Sequence, residues 1–193
     1  MLALSLVADK VIPALAEVTR ASQTISLYAL GTRLRPLRAA AAAVIISTSA
    51  AVSEELAFRG CLQTGVASLL MSRAIALPAA TAAAIAVTVQ ALIFGALHSY
   101  SARYEYLATA SVAGLAFGAA FARTSNIAVP MVMHFIIDVV GFLVSHWQVA
   151  RASETEQRDL IDSDTPIAQQ LRQVLGPRAL AREQQKRAAA AGA

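Results

Sequence analysis

SEELAFRG, from Ser53 to Gly60, places three charged side chains inside a long apolar stretch. The adjacent glutamates Glu54 and Glu55 are followed by Arg59, and the flanking residues are mostly alanine, valine, isoleucine and leucine. A charged side chain at the centre of a membrane helix costs about 2.5 to 3.5 kcal/mol on insertion scales, so such residues usually face a bundle interior or a wet cavity. We therefore expect these charges to have a function.

The composition is that of a membrane protein. The chain of 193 residues is 57% hydrophobic and 15% charged, whereas soluble domains are usually about 45 to 50% apolar and about 25% charged. Cys61 is the sole cysteine, which excludes an intrachain disulfide framework and a cysteine-based zinc site. We expect an integral membrane protein with the lipid bilayer as a partner and no nucleic acid partner.

Four hydrophobic segments are long enough to cross a bilayer, which takes about 20 apolar residues. They run from Ala39 into the low seventies, from Ala74 to His98, from Tyr104 to Ala122 and from Ile127 to Val149, and residues 1–16 are a weaker fifth candidate. None alternates polar and apolar residues as a barrel strand does, so we predict helices. The predicted fold class is all-α, a polytopic membrane helix bundle with about four to five hydrophobic helices.

The first segment is longer than a membrane needs, so we predict that it contains a break or leaves the bilayer near Gly60 or Gly65. Three regions are expected: 1–38, an interfacial or partial membrane segment; 39–150, the membrane core; and 151–193, a solvated polar tail. The arginines at the segment ends obey the positive-inside rule when the C-terminus is cytoplasmic. We predict that orientation, in a membrane that the alanine and arginine usage indicates is bacterial.

Helical geometry predicts an ion pair between Glu55 and Arg59. Side chains four positions apart are separated by about 40° around a helix, and those five apart by about 140°. Glu55 and Arg59 therefore share a face, whereas Glu54 points elsewhere. A carboxylate without a partner on its own helix becomes protonated or finds a partner on another helix.

Two of the three histidines lie in later apolar segments and offer such partners. His98 follows Phe94 by four positions, and His134 precedes Asp138 by four. A lone membrane histidine more often packs or forms a hydrogen bond than catalyses. If Glu54, His98, His134 and Asp138 converge, however, they supply a base, a proton carrier and hydrogen-bond donors, which are the ingredients for activating water.

Three short motifs resemble the signature of a known family. EELAFR (Glu54 to Arg59) fits EExxxR, FGALH (Phe94 to His98) fits FxxxH, and HFIID (His134 to Asp138) fits HxxxN/D. In this order, on successive hydrophobic segments, they are similar to the motifs of the CPBP family. That family, also called Abi, comprises type-two CAAX prenyl proteases and bacteriocin-processing or immunity enzymes. The resemblance covers about 39–149, so we expect region 39–150 to be a CPBP-like protease core.

The resemblance implies a glutamate-type intramembrane endopeptidase acting on a membrane-embedded or lipidated peptide or protein. It implies that Glu54 and His98 activate the attacking water, and that His134 and Asp138 stabilise the oxyanion. The implied supporting residues are Glu55, Arg59 and Phe94. Asp138 stands where many relatives have asparagine, and because an ionised carboxylate does not donate a hydrogen bond, we expect it to orient His134.

Two alternatives stay open. We expect no required cofactor, but two histidines with one or two carboxylates also suit zinc with an open position for water. The chain is also short for the family, whose members commonly have about eight spans, so a catalytically inactive scaffold or immunity protein of the same family is the other alternative.

His98 lies at the far end of its segment, so we predict a helix that begins after Ala74 and a loop from Ser99 to Arg103 that dips into a cavity.

Several residues are expected to have roles outside the site. Tyr100, Tyr104 and Tyr106 are expected in an aromatic belt at the headgroup level, and His146 and Trp147 are expected to be interfacial anchors. Gly114 and Gly118 form a GxxxG pattern, which permits close helix packing in a membrane.

Overall fold

The computed structural model describes residues 13–163, 165 and 167–174, and every regular element in this part of the chain is a helix. The elements are α1 (Pro13–Leu30), α2 (Pro36–Glu55), a π-helical segment (Leu56–Gln63), α3 (Thr64–Leu70), α4 (Ala79–Thr124), α5 (Ala128–Arg151) and α6 (Glu154–Ile161). Residues 167–174 are also helical. The predicted all-α fold is confirmed, while most of the weak candidate 1–16 lies outside the described residues.

Within the described residues, four stretches are long and apolar enough to cross a membrane, namely Pro36–Leu70, Ala79–His98, Tyr106–Thr124 and Ala128–Arg151. Large apolar side chains on these stretches point outward, among them Leu37, which is 87% exposed, and Ile45, which is 69% exposed. Such exposure is costly in water and neutral in lipid. The chain is therefore an integral membrane protein with a helical membrane core.

Of the two alternatives predicted near Gly60 or Gly65, a break in the helix is wrong, and departure from the bilayer stays a prediction. The first span stays helical over its 35 residues, and Gly60 lies inside the π-helical segment. A π-helix has wider turns than an α-helix and often occurs at functional sites. Here the hydroxyl of Thr64 donates to the carbonyl oxygen of Arg59 at 2.8 Å, which gives that carbonyl a side-chain partner.

Helix α4 folds back on itself. It begins at Ala79, so the predicted start after Ala74 is confirmed, but its backbone stays helical through 99–103, where a loop was predicted. The amide nitrogen of Gln90 donates to the carbonyl oxygen of Gly114 at 2.8 Å. In a straight helix these residues would be about 36 Å apart, because each residue adds about 1.5 Å. The two spans of α4 therefore form an antiparallel hairpin.

The described residues group into two compact units. One unit comprises residues 40–141 and contains the π-helical segment, α3, α4 and all the predicted site residues. The other comprises the described residues before 40 and after 141. The predicted boundaries at 38 and 150 stay a prediction.

In the second unit, part of the polar tail is folded. Helix α6 packs on α1, where Leu27, Val149 and Leu160 form a small buried cluster. Ser153 caps α6: its hydroxyl accepts from the backbone N–H of Glu156, whose side chain in turn accepts from the backbone N–H of Ser153. These bonds hold the pKa of Glu156 below its ordinary value. The expected solvated tail therefore contains a helix at 154–161, in which Glu154 and Arg158 are exposed.

His146 is a structural residue of the same unit, not an interfacial anchor. Its side chain is buried, and its Nε2 accepts a hydrogen bond from the backbone N–H of Arg35 at 3.0 Å. Because Nε2 accepts, this nitrogen carries no proton. The neighbouring Trp147 ring lies 4.4 Å from the guanidinium carbon of Arg151, which is a cation–π contact.

Candidate active site

The charged motif lies where α2 passes into the π-helical segment. Glu54 and Glu55 are the last residues of α2, and Arg59 lies within the π-helical segment. The structure contains the ion pair predicted from helical spacing: Arg59 Nη1 is 2.9 Å from Glu55 Oε1, and both side chains are fully buried. Buried charges of opposite sign need each other, because either one alone would have lost its hydration without compensation.

Arg59 is held by further groups as well as by the carboxylate. Its Nη2 donates to the carbonyl oxygen of Gly114 at 3.2 Å. Its guanidinium carbon also lies 5.1 Å from the centre of the Phe94 ring and 5.3 Å from that of Phe117. Cation–π contacts are strengthened by such removal from water. Arg59 therefore links the π-helical segment to both halves of the α4 hairpin.

His134, on α5, contacts carboxylates through both ring nitrogens. Nδ1 donates to Glu55 Oε1 at 2.9 Å, and Nε2 lies 3.3 Å from Asp138 Oδ2 and 3.9 Å from Glu54 Oε2. The ring also stacks on Phe117, with centroids 5.2 Å apart. The position and orientation of this imidazole are thus fixed from several sides.

Glu54 lies between the two histidines. Its Oε2 is 3.7 Å from Nε2 of His98 and 3.9 Å from Nε2 of His134. These separations exceed a direct hydrogen bond, and Oε2 has no hydrogen-bond partner among the described residues. Unlike Glu55, Glu54 keeps 30% of its side chain exposed. Its Oε2 is itself buried, so the exposure comes from the rest of the side chain.

His98 is oriented by the residue one helical turn before it. Its Nδ1 lies 2.7 Å from the carbonyl oxygen of Phe94. Because a carbonyl oxygen only accepts, Nδ1 carries the proton, and in the neutral ring Nε2 is left with its lone pair facing Glu54. The Phe94 ring packs on the imidazole at 4.3 Å between centroids. The Phe94 and His98 spacing read from the sequence thus corresponds to a direct contact.

The structure brings all seven predicted site residues together within one unit, in three helical stretches of the membrane core. Their catalytic and supporting roles stay predictions.

Phe117, which stacks on His134, was missed, and the only sequence signal for it was its place between the glycines of the GxxxG pattern. Tyr106 was assigned to an aromatic belt, but its ring stacks on His98 at 6.0 Å with an interplanar angle of 6°. The side chains of Tyr100 and Tyr104 lie outside the described set.

Within the described part of the chain, no three histidine, cysteine, aspartate or glutamate side chains are arranged to hold a metal ion. The predicted zinc alternative would draw on Glu54, His98, His134 and Asp138. The requirement for a metal stays a prediction, which removal of metal from the purified protein tests.

Comparison with known families gives one finding. Residues 36–140 match the family model described as type II CAAX prenyl endopeptidase Rce1-like. The match covers more than half of the chain and includes every predicted site residue. Comparison with curated proteins and with solved structures gives no match.

Proposed function

Because this chain belongs to the Rce1-like family of type II CAAX prenyl endopeptidases, we propose that it cleaves a peptide bond with a water activated by Glu54 and His98. The observation that carries the proposal is the position of Glu54. Its Oε2 faces His98 Nε2 at 3.7 Å, inside a membrane core and without a hydrogen-bond partner among the described residues.

Two facing proton acceptors suit a bridging water. The Glu54 carboxylate and the unprotonated Nε2 of His98 each accept but do not donate, and a separation of 3.7 Å is too long for a direct bond. A water molecule between them donates one hydrogen to each and presents its oxygen lone pair to the substrate. This orientation favours attack on a carbonyl carbon, with transfer of one water proton to Glu54.

The remaining steps use the other groups of the site. Attack converts the peptide carbonyl into a tetrahedral oxyanion, which His134 stabilises as an imidazolium: Nδ1–H donates to Glu55, and Nε2–H, which Asp138 faces, donates to the oxyanion. Asp138, 3.3 Å from that nitrogen, and Glu55, bonded to Nδ1, orient the ring. The carbon–nitrogen bond then breaks, and the amine leaves with the proton returned by Glu54. The other product is a carboxylic acid, which becomes a carboxylate by giving its remaining proton to the regenerated Glu54 carboxylate and from there to solvent.

The substrate class is part of the proposal. The family name points to prenylated CAAX peptides, so we propose a lipidated or membrane-embedded peptide or protein. We further propose that the C-terminus is cytoplasmic, which the arginines at the span ends support. Cleavage of an unprenylated substrate by the same chemistry would instead indicate a function in peptide maturation.

The test uses purified protein in lipid nanodiscs and a farnesylated CAAX peptide that carries a quenched fluorophore. We expect cleavage by the wild type and loss of at least about 100-fold in kcat for Glu54→Gln and for His98→Ala. Glu154→Gln, which removes an exposed carboxylate of α6, is the control and should retain full activity.

The same peptide without its farnesyl group separates lipid recognition from general proteolysis. Equal cleavage of both peptides would contradict a prenyl-dependent substrate. Wild-type activity in Glu54→Gln, or no cleavage of either peptide by the wild type, would overturn the proposal and favour the inactive scaffold.

A further inference from the structure

A second group of polar side chains is buried beside the site, in a place where none was expected. Gln90 is fully buried and Gln63 nearly so. Gln63 Nε2 donates to the carbonyl oxygen of Gly118 at 3.0 Å, and Gln90 Nε2 donates to that of Gly114 at 2.8 Å. Polar groups inside membrane spans are costly and commonly functional, so both glutamines need an explanation.

Gln90 shares its acceptor with the arginine of the site. The oxygen of Gly114 receives Nε2 of Gln90 at 2.8 Å and Nη2 of Arg59 at 3.2 Å. Gln90 Nε2 also lies 3.0 Å from the carbonyl oxygen of Val87. Both neighbours are carbonyl oxygens, so the amide must present its NH₂ group to them. Within the described residues, its Oε1 has no partner. The side chain is thus used for its donors.

The glycine makes this shared contact possible. A Cβ atom at Gly114 would lie 3.0 Å from the Cα of Ala91, so the two halves of the α4 hairpin approach closely at this point. That approach brings Gln90, on the first half, to the backbone of the second half. The GxxxG pattern therefore positions polar groups as well as packing helices.

From Gln90 a continuous series of contacts reaches the imidazole. Gln90 fixes the Gly114 carbonyl, this carbonyl anchors one end of the Arg59 guanidinium, and the other end bonds Glu55 at 2.9 Å. Glu55 Oε1 also accepts from His134 Nδ1 at 2.9 Å. Gln63 bonds a different carbonyl and is outside this series.

We propose that Gln90 is a positioning residue for His134, acting through the Gly114 carbonyl, Arg59 and Glu55. The expected effect of Gln90 on kcat rests on the proposed function, because it is measured as peptide cleavage. A rigid Gly114 carbonyl fixes the position of the Arg59 guanidinium. The guanidinium in turn holds Glu55 where it accepts the hydrogen bond of His134. Misplacement of a catalytic group by about 1 Å reduces rates by up to about 100-fold.

The test compares Gln90→Met with Gln63→Met, since both changes remove a buried amide that bonds a glycine carbonyl. For Gln90→Met we expect kcat on the farnesylated peptide to fall about tenfold, with KM within about twofold. For Gln63→Met we expect an unchanged kcat. In an Arg59→Met background, addition of Gln90→Met should have no further effect on kcat, because the link is already broken.

A spectroscopic measurement tests the inference without any substrate. The chain has three histidines, so the ring nitrogen resonances of isotope-labelled histidine are few and can be assigned with His98→Ala and His134→Gln. We expect Gln90→Met to shift the His134 Nδ1 resonance and Gln63→Met to leave it in place.

The outcomes are distinct. An unchanged His134 resonance in folded Gln90→Met overturns the positioning role, as does an equal kcat loss in the two glutamine variants. If the wild type cleaves no peptide, the proposed function fails, and the resonance still decides the role of Gln90. Unfolding temperatures of both variants show whether each is folded.

Discussion

Glu54 and Glu55 are chemically identical neighbours with different environments. Glu55 is fully buried and bonds both Arg59 and His134, whereas Glu54 is partly exposed and faces two histidines without a direct bond. The difference arises because adjacent residues on a helix point about 100° apart. One glutamate is thereby tied into the ion pair, and the other keeps part of its side chain exposed.

The buried ion pair leads to a prediction about stability. Arg59→Met leaves the Glu55 charge buried without its guanidinium, so we expect the free energy of unfolding to fall by about 3 to 5 kcal/mol. The double variant Glu55→Gln with Arg59→Met removes both charges and should recover much of this loss. Unfolding in detergent, monitored by circular dichroism, measures the free energy of unfolding of the wild type and of both variants. Equal loss in the single and double variants would contradict the pairing argument.

At the scale of elements, the local contacts were predictable from helical spacing, whereas among the contacts between distant segments only the convergence of the charged and imidazole residues was anticipated. The pairing of Glu55 with Arg59 follows from a spacing of four on one helix, and the same holds for the contacts of Phe94 with His98 and of His134 with Asp138. Such pairs depend only on helix geometry.

Contacts between distant segments carry no such periodic signal. The sequence does not reveal that α4 turns back within a helical stretch, so neither the shared Gly114 carbonyl nor the stacking of Tyr106 on His98 was predicted. Helix α6 was missed for a related reason: its composition is polar, and its order depends on packing against α1. Resemblance to a family located the motifs but gave none of these contacts.

Close approach within the α4 hairpin leads to a second prediction. A Cβ at Gly95 would lie 2.6 Å from the backbone oxygen of Leu107, which has no rotamer to adopt, whereas a Cβ at Gly141 meets nothing within 4 Å. We expect Gly95→Ala to lower the free energy of unfolding by about 1 to 3 kcal/mol.

Gly141→Ala is the matched control, and we expect it to be neutral or to stabilise by up to about 1 kcal/mol through helix propensity. Thermal unfolding in the same detergent compares the two variants. Because His98 follows Gly95 by three residues, we also expect a lower kcat in Gly95→Ala. Equal unfolding temperatures of Gly95→Ala and Gly141→Ala would contradict the prediction, because the two halves of the α4 hairpin would then accommodate the added methyl group without loss of stability.

At the scale of the whole molecule, the mechanism proposed above uses only side chains. We therefore expect purified, active protein to contain metal at well below one equivalent and to keep its kcat after prolonged chelation. Elemental analysis and the farnesylated peptide assay measure these quantities on the same sample. Loss of activity on chelation, restored by added zinc, would instead establish the metal-dependent alternative.

The charge balance of the site bears on what happens after cleavage. The site contains the carboxylates of Glu54, Glu55 and Asp138; Glu55 pairs with the guanidinium of Arg59, and Glu54 and Asp138 remain partly exposed beside the histidines. In the proposed reaction, hydrolysis of a neutral amide creates a new anion beside them, in surroundings of low dielectric constant where like charges repel strongly. We therefore expect this repulsion to drive the new carboxylate outward and to assist its release.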